Sequence, residues 1–246
     1  MALHTSTFMV RKSATEQISV SIVDMPCAAE GLSLTTWSSA GILSNLLHKL
    51  EVGKIKAVQS DDVKDDFAIL ELGAGTGLSG LSAAALWGQR ALLTDLPTIV
   101  PGIQANVDLN AHVLREHGAS AVSGTLDWTK PDMVSIPKSD NQRARTFTVD
   151  EVNGFPIILA ADTMYTEEHP VLLSQTILRC LRRSPSARAI VVYAMRVAYI
   201  DHMREFWELM EAGGLVAEQE GREEIDLREW DDEKLHEWSV WKWKDL

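Results

Sequence analysis

The sequence predicts an α/β protein built on a doubly wound, mostly parallel sheet, with helices on both faces and an N-terminal β extension. Three observations carry that expectation. From residue 67 onward, short apolar runs alternate with helical stretches of roughly 10–15 residues, the grammar of βαβ units. A glycine turn, Gly73-Ala74-Gly75-Thr76-Gly77, follows the first of these runs and opens the next helix. No linker divides the region, and right-handed crossovers leave a doubly wound order for the sheet.

The elements follow in order. Thr15 to Val23 alternates partially and reads as a strand of an N-terminal hairpin. Ile42, Leu43, Leu46, Leu47 and Leu50 share one helical face, with a serine of Ser38-Ser39 as the N-cap. Residues 52–66 are polar and read as a surface connection. Phe67 to Leu72 is a buried-type strand, Leu78 to Trp87 a helix and Ala91 to Thr94 a short strand. Val100 to His117 reads as one helix opened by Pro101, and Ala119 to Leu126 as the third strand. Residues 129–154 are long and polar, and an exposed loop or insertion is expected there. Then come a strand at Phe155 to Ala161, a helix at Pro170 to Arg183, a strand at Ala189 to Met195 and a helix at Asp201 to Ala212. Leu215 to Glu220 and Glu237 to Trp243 are the expected last strands. Residues 1–34 are assigned to the extension and 35–246 to the main domain, a single domain overall.

Composition bounds the function. The chain has 246 residues, 46% of them hydrophobic and 24% charged, close to the globular average. It carries 23 Lys and Arg against 35 Asp and Glu, a net charge of −12, which argues against nucleic acid as the main partner. Two cysteines, Cys27 and Cys180, and seven scattered histidines suggest neither a disulfide framework nor a metal site. The N-terminus lacks the basic-then-apolar order of a secretory signal, and no apolar run approaches the roughly 18–20 residues that span a bilayer. A soluble, intracellular protein is expected, cytoplasmic or also nuclear, monomeric and without a membrane partner.

The glycine turn carries the chemistry. Gly73 and Gly75 permit a tight turn and close approach of a ligand to the backbone. Asp95 lies twenty residues after Gly75, at the end of the next strand, where a carboxylate can accept hydrogen bonds from ribose hydroxyls. A dinucleotide site prefers Gly-x-Gly-x-x-Gly, yet Leu78 stands at the third glycine position and Gly77 falls one residue early. Glu71 precedes the turn, where a negative charge would repel a pyrophosphate and suit an ammonium or sulfonium group. S-adenosylmethionine has both groups and no phosphate.

The segment Leu70-Glu71-Leu72-Gly73-Ala74-Gly75-Thr76-Gly77-Leu78 resembles motif I of the class I, seven-β-strand, S-adenosylmethionine-dependent methyltransferases. More narrowly, the chain resembles the family 16 lysine methyltransferases, the methyltransferase-like-21 and elongation-factor methyltransferase group. Thr36-Trp37, Thr94-Asp95-Leu96-Pro97 with Asn106 to Asn110, Leu126-Asp127-Trp128, and Asp162-Thr163-Met164-Tyr165 match the family's other segments in order. The resemblance covers roughly residues 35–243 and implies a Rossmann-like fold with a seven-stranded sheet. It also implies S-adenosyl-L-methionine as cofactor, with S-adenosyl-L-homocysteine as product. By the same resemblance, Gly73, Ala74 and Gly75 line the methionine part, Asp95 holds the ribose, and Leu96 lies beside the adenine. Trp128 packs on the adenine, Trp37 closes the pocket, and Ala161 touches the cofactor. Asp162 and Tyr165 face the incoming amine as the catalytic pair.

The residues themselves leave some roles open. Trp37 could anchor a helix start, Asp162 could cap the following helix, and Glu71 could pair with an N-terminal Arg or Lys. The leading expectation is protein-lysine N-methylation, with a translation elongation factor or a chaperone as protein substrate. Asp162 would orient the amine and help take up its proton, and Tyr165 would shape the slot. A small-molecule N-methyltransferase is the alternative, for which residues 129–154 would serve as a lid. A catalytically inactive cofactor-binding scaffold is a third reading. The last 46 residues hold 15 acidic and 6 basic side chains. Glu223, Glu224, Asp226, Glu229, Asp231, Asp232 and Glu233 would form either a solvated face or a rim that steers a basic substrate.

Overall fold

The computed structural model describes residues 4–24, 35–50, 67–138, 143–226 and 233–246. Two strands, β1 (Thr5–Arg11) and β2 (Gln17–Val23), pair antiparallel as the N-terminal hairpin. Helix α1 (Ser38–Leu46) leads into the main sheet. After it come β3 (Ile69–Leu72), α2 (Leu78–Trp87), β4 (Arg90–Asp95), α3 (Val100–Leu109), α4 (Ala111–Glu116) and β5 (Ser120–Thr125). The chain continues through β6 (Met133–Ile136), β7 (Arg145–Thr148), β8 (Ile157–Ala161), α5 (His169–Cys180) and β9 (Arg188–Ala194). Helix α6 (Ile200–Ala212) and strands β10 (Leu215–Glu224) and β11 (Leu235–Trp243) complete it.

The main sheet runs β10-β11-β9-β8-β3-β4-β5-β6-β7. Its centre, β9-β8-β3-β4-β5, is parallel, and both flanks are antiparallel. Parallel strands are covered on both faces, so their sequences read as continuous apolar runs. Alternate side chains nonetheless enter two separate cores. Ile69, Leu93, Leu159 and Val192 face the core under α1, α2 and the hairpin. Leu70, Leu92, Ile158 and Val191 face the core under α5 and α6.

Three expectations change. Among the described residues the sheet has nine strands rather than seven, because residues 129–154, expected as an exposed loop or insertion, contain β6 and β7. Val134, Ile136 and Phe147 supply the buried face of those strands, and Arg179 of α5 pins the segment by pairing with both Asp132 and Asp150. The expected helix over 100–117 divides at Asn110 into α3 and α4. There the Asn110 amide binds the backbone N–H and carbonyl of Ser21 at 2.9 and 2.6 Å, so it serves the hairpin as well as the helix. Finally, Ser38 and Ser39 are buried inside the first turn of α1, where Trp37 occupies the N-cap without a side-chain cap bond. Ser38 instead meets His236 of β11 at 2.7 Å.

The tryptophan-rich C-terminus packs the sheet. Trp241 and Trp243 are buried in the core under α6, and Trp238 is half-buried. Trp230 and the connection over 52–66 lie outside the described residues, as do Cys27, Glu229, Asp231 and Asp232. The acidic side chains of β10 are largely paired: Glu223 with Lys49, Glu224 with Lys234, and Glu218 with Arg188 and Lys242. As an edge strand, β10 gains from such charge, which discourages pairing with another chain. Among the described residues, no helix is long and apolar enough to cross a membrane.

Candidate active site

The predicted site residues, Glu71 and Trp37 excepted, lie at the carboxyl ends of β3, β4, β5 and β8, the edge where open α/β sheets bind ligands, and Trp37 stands at the N-cap of α1. The glycine turn leaves β3 in left-handed backbone, with φ of +60° at Gly73, +54° at Gly75 and +84° at Gly77. Only glycine adopts such values without strain. The Ala74 N–H donates to the Thr94 carbonyl at 2.9 Å, which stitches the turn to β4. Asp95 finishes the stitch: Oδ2 accepts from the Gly75 N–H at 2.8 Å and Oδ1 from the Leu96 N–H at 2.7 Å. Each carboxylate oxygen can accept more than one hydrogen bond, which suits a vicinal diol.

The turn is closed on one side and open on another. A side-chain carbon on Gly73 would lie 2.9 Å from Thr163 and 3.2 Å from the Trp128 ring. At Gly75 the same carbon would meet nothing within 4 Å. Gly75 therefore presents bare backbone beside the Asp95 carboxylate, and the Trp128 indole packs over Gly73. Asp127 shapes the approach to Trp128, accepting from the Thr129 N–H and hydroxyl, and those bonds lower its pKa. An open backbone cradle, a ribose-type carboxylate and an adjacent indole fit S-adenosylmethionine.

Two further clusters adjoin the cradle. The Tyr165 ring stands edge-on to His169, with centroids 4.4 Å apart, and His169 stands edge-on to Trp128 at 5.7 Å. On the other side of Thr163, Asp162 forms a bidentate pair with Arg196, whose guanidinium lies 5.7 Å from the Trp37 ring centre. Trp37, Leu96 and Tyr165 remain 43%, 39% and 43% exposed, so the site opens to solvent through aromatic and apolar side chains. Ala161 is half-buried at the end of β8, paired with Val192 of β9. The Thr36 and Thr76 hydroxyls meet at 2.9 Å and tie the approach to Trp37 to the glycine turn.

Glu71 is placed differently. It is 2% exposed and faces α2, where a side-chain carbon on Gly80 would come within 2.5 Å of its Oε2. Burial pushes its pKa up to about 8, and Asp95 adds to the rise. The Gly80 amide and Ser79 hydroxyl act against that rise, but Oε2 makes no hydrogen bond. At neutral pH the carboxyl is mostly neutral, so Glu71 repels a pyrophosphate less than its charge in the sequence suggests. The case against a dinucleotide then rests on Leu78.

Sequence reasoning missed Arg196 and His169. Arg196 could have been flagged as a charged residue just past an apolar strand, at the ligand-binding edge. His169 carried no such signal, because its part is an aromatic contact made only in the fold. Within residues 129–154, the lid of the small-molecule alternative, β6 and β7 are paired into the sheet and Arg179 of α5 holds Asp132 and Asp150, while residues 139–142 lie outside the described residues. Among the described residues, no group of three metal-ligating side chains converges.

The likenesses agree with this geometry. Residues 15–212 match the family model described as lysine methyltransferase. The protein-lysine N-methyltransferase rrg1 of Schizosaccharomyces pombe is 31% identical over 94% of this chain and 69% of its own length. The protein-lysine N-methyltransferase EFM2 of Saccharomyces cerevisiae is 32% identical over 68% of this chain, which spans only 38% of that relative. Among solved structures, an S-adenosylmethionine-dependent methyltransferase from Methanosarcina mazei is 12% identical with a TM-score of 0.50. That alignment covers 74% of this chain and 94% of the other, and it bears on the fold alone. This chain belongs to the lysine methyltransferase family.

Proposed function

We propose that this chain transfers a methyl group to the ε-amine of a lysine in a protein, with a translation elongation factor as the leading target class. The observation that carries the reading is the junction of two features at one sheet edge. The Gly75 and Asp95 cradle fits the cofactor, and the Asp162 to Tyr165 segment leaves β8 beside it. The elongation-factor target rests on the likeness of Thr94-Asp95-Leu96-Pro97 and of Asn106 to Asn110 to that group. A protein substrate also suits an exposed, aromatic-rimmed opening better than a closed cavity would.

When bound, S-adenosylmethionine supplies an electrophilic methyl carbon on a sulfonium. The chain's own task is placement, an orientation effect rather than covalent chemistry. Asp95 and the Gly75 backbone fix the ribose and the turn. Trp128 walls the cradle, and Trp37 covers it from α1. Tyr165, braced by His169, forms one side of the amine slot. A lysine amine has a pKa of about 10.4 and must lose a proton before it can react. Arg196 uses one lone pair on each Asp162 oxygen and the others can still accept from the amine, so Asp162 orients the amine and helps take up its proton.

Incubation with tritiated S-adenosylmethionine and a cell extract tests the reading. Label in one or a few discrete protein bands is the expected result. Label confined to the small-molecule fraction would overturn it.

A further inference from the structure

We propose that Arg196 is a positioning residue for methyl transfer: it locks the Asp162 carboxylate at the mouth of the amine slot and joins it to Trp37. The inference rests on the methyl-transfer reading above and adds a residue to it.

Arg196 lies two residues past β9, the strand next to β8. Its Nη1 donates to Asp162 Oδ1 at 2.6 Å, and Nη2 donates to Oδ2 at 2.8 Å. The two side chains keep 19% and 7% of their exposure, so the pair is largely screened from water. A fork-to-fork pair fixes the plane of a carboxylate as well as its position, which a lysine ammonium cannot do.

The backbone shows why such a lock is needed. Asp162 has φ of +56°, a left-handed value uncommon for a residue other than glycine. Its N–H donates to the Val192 carbonyl of β9 at 2.9 Å. Main chain and side chain are thus both held by β9 and its extension. Backbone strain of this kind persists only where the surroundings over-determine it, and it gathers at functional sites. On its other side, the Arg196 guanidinium lies within cation–π range of Trp37. One cation therefore connects the residue facing the amine to the residue covering the cofactor.

A double-variant cycle tests this. Initial rates of tritium transfer from S-adenosylmethionine are measured for Arg196→Ala, Arg196→Lys, Asp162→Asn and the Asp162→Asn/Arg196→Ala pair. Affinity for S-adenosylhomocysteine is measured alongside by calorimetry. Arg196→Ala should lose about 100-fold in rate, the scale of a misplacement by about 1 Å. Arg196→Lys keeps the charge without the fork and should recover no more than about a tenth of the wild-type rate. Cofactor-product affinity should change by less than about fivefold, the reach of one exposed cation–π contact. The double variant should be no slower than Asp162→Asn alone, because Arg196 acts through Asp162.

Near-normal rates in both Arg196 variants would overturn the proposal. So would losses that multiply in the double variant, or a fall in affinity that accounts for the fall in rate. Should Arg196→Ala fail to fold, Arg196→Lys and its own pair with Asp162→Asn carry the same comparison. Rates are read in whichever fraction takes label. Label confined to small molecules therefore rejects the protein-substrate reading while the cycle still judges Arg196. A wild-type protein that binds S-adenosylhomocysteine and labels neither fraction rejects both.

Discussion

Glu71 shows how far one residue's chemistry can move between sequence and fold. In the sequence it is a negative charge before a glycine turn; in the fold it is a buried carboxyl with a pKa of about 8. The unfolded chain would release that proton near pH 4.5, so between those values the folded state holds the extra proton. Stability is then fully present below about pH 4.5, falls as pH rises toward 8, and levels off above. The slope approaches about 1.4 kcal/mol per pH unit. Thermal or urea unfolding of wild type and Glu71→Gln from pH 5 to 8 should show a decline in the first that the second lacks. Equal pH dependence in both would remove Glu71 as its source. The two turn glycines make a second contrast. Gly73→Ala meets left-handed strain and also Thr163 and Trp128, and should cost about 2–4 kcal/mol of stability. Gly75→Ala meets strain alone and should cost about 1–2 kcal/mol, yet weaken S-adenosylhomocysteine binding at least about tenfold, because the added carbon occupies the cradle. Equal effects of the two substitutions on binding and stability would contradict the cradle.

At the scale of elements, legibility followed periodicity. Helix α2 was readable end to end because Gly77 and Gly88 bracket its apolar stretch, and both adopt left-handed backbone at its caps. The strand–helix alternation after residue 67 was equally plain, since central parallel strands are short and continuously apolar. Strands β6 and β7 were not legible: each is four residues long, and the sequence between them is mostly polar. The break at Asn110 was hidden as well, because its cause is a partner 89 residues away. Asn106 does more of this work. Its amide oxygen accepts from the Val23 N–H at 2.8 Å, and its nitrogen donates to the carbonyls of Val23 and Thr76. One side chain thus ties the hairpin to the glycine turn. Asn106→Ala should cost about 2–3 kcal/mol by leaving these groups unpaired. Hydrogen exchange should show faster exchange across Gln17–Val23, with the β4 amides little changed. Unaltered protection in the hairpin would show that the tie is not what holds it.

For the whole molecule, the placement of charges says more than their sum. Among the described residues, Glu218, Glu223, Glu224 and Glu237 of the edge hairpin are each paired with a basic side chain, so their charge says little about the substrate. The short motifs of the expected site all lie at strand ends: the Gly73 to Gly77 turn after β3, Asp95 at the end of β4 and Asp162 to Tyr165 after β8. What the sequence could not display were the contacts between strand ends. Arg196 reaches Asp162 across 34 residues of chain, and His169 joins Tyr165 to Trp128 only because β5 and β8 end at the same edge. The central claim is that this edge delivers a methyl group to a lysine side chain. Its most direct test is to label an extract with tritiated S-adenosylmethionine and wild-type protein, hydrolyse the labelled band, and chromatograph it against methylated amino-acid standards. Radioactivity should run with methylated lysine and be lost with Asp162→Ala, while S-adenosylhomocysteine still binds that variant. Radioactivity in methylated arginine or histidine, or undiminished transfer by Asp162→Ala, would contradict the account.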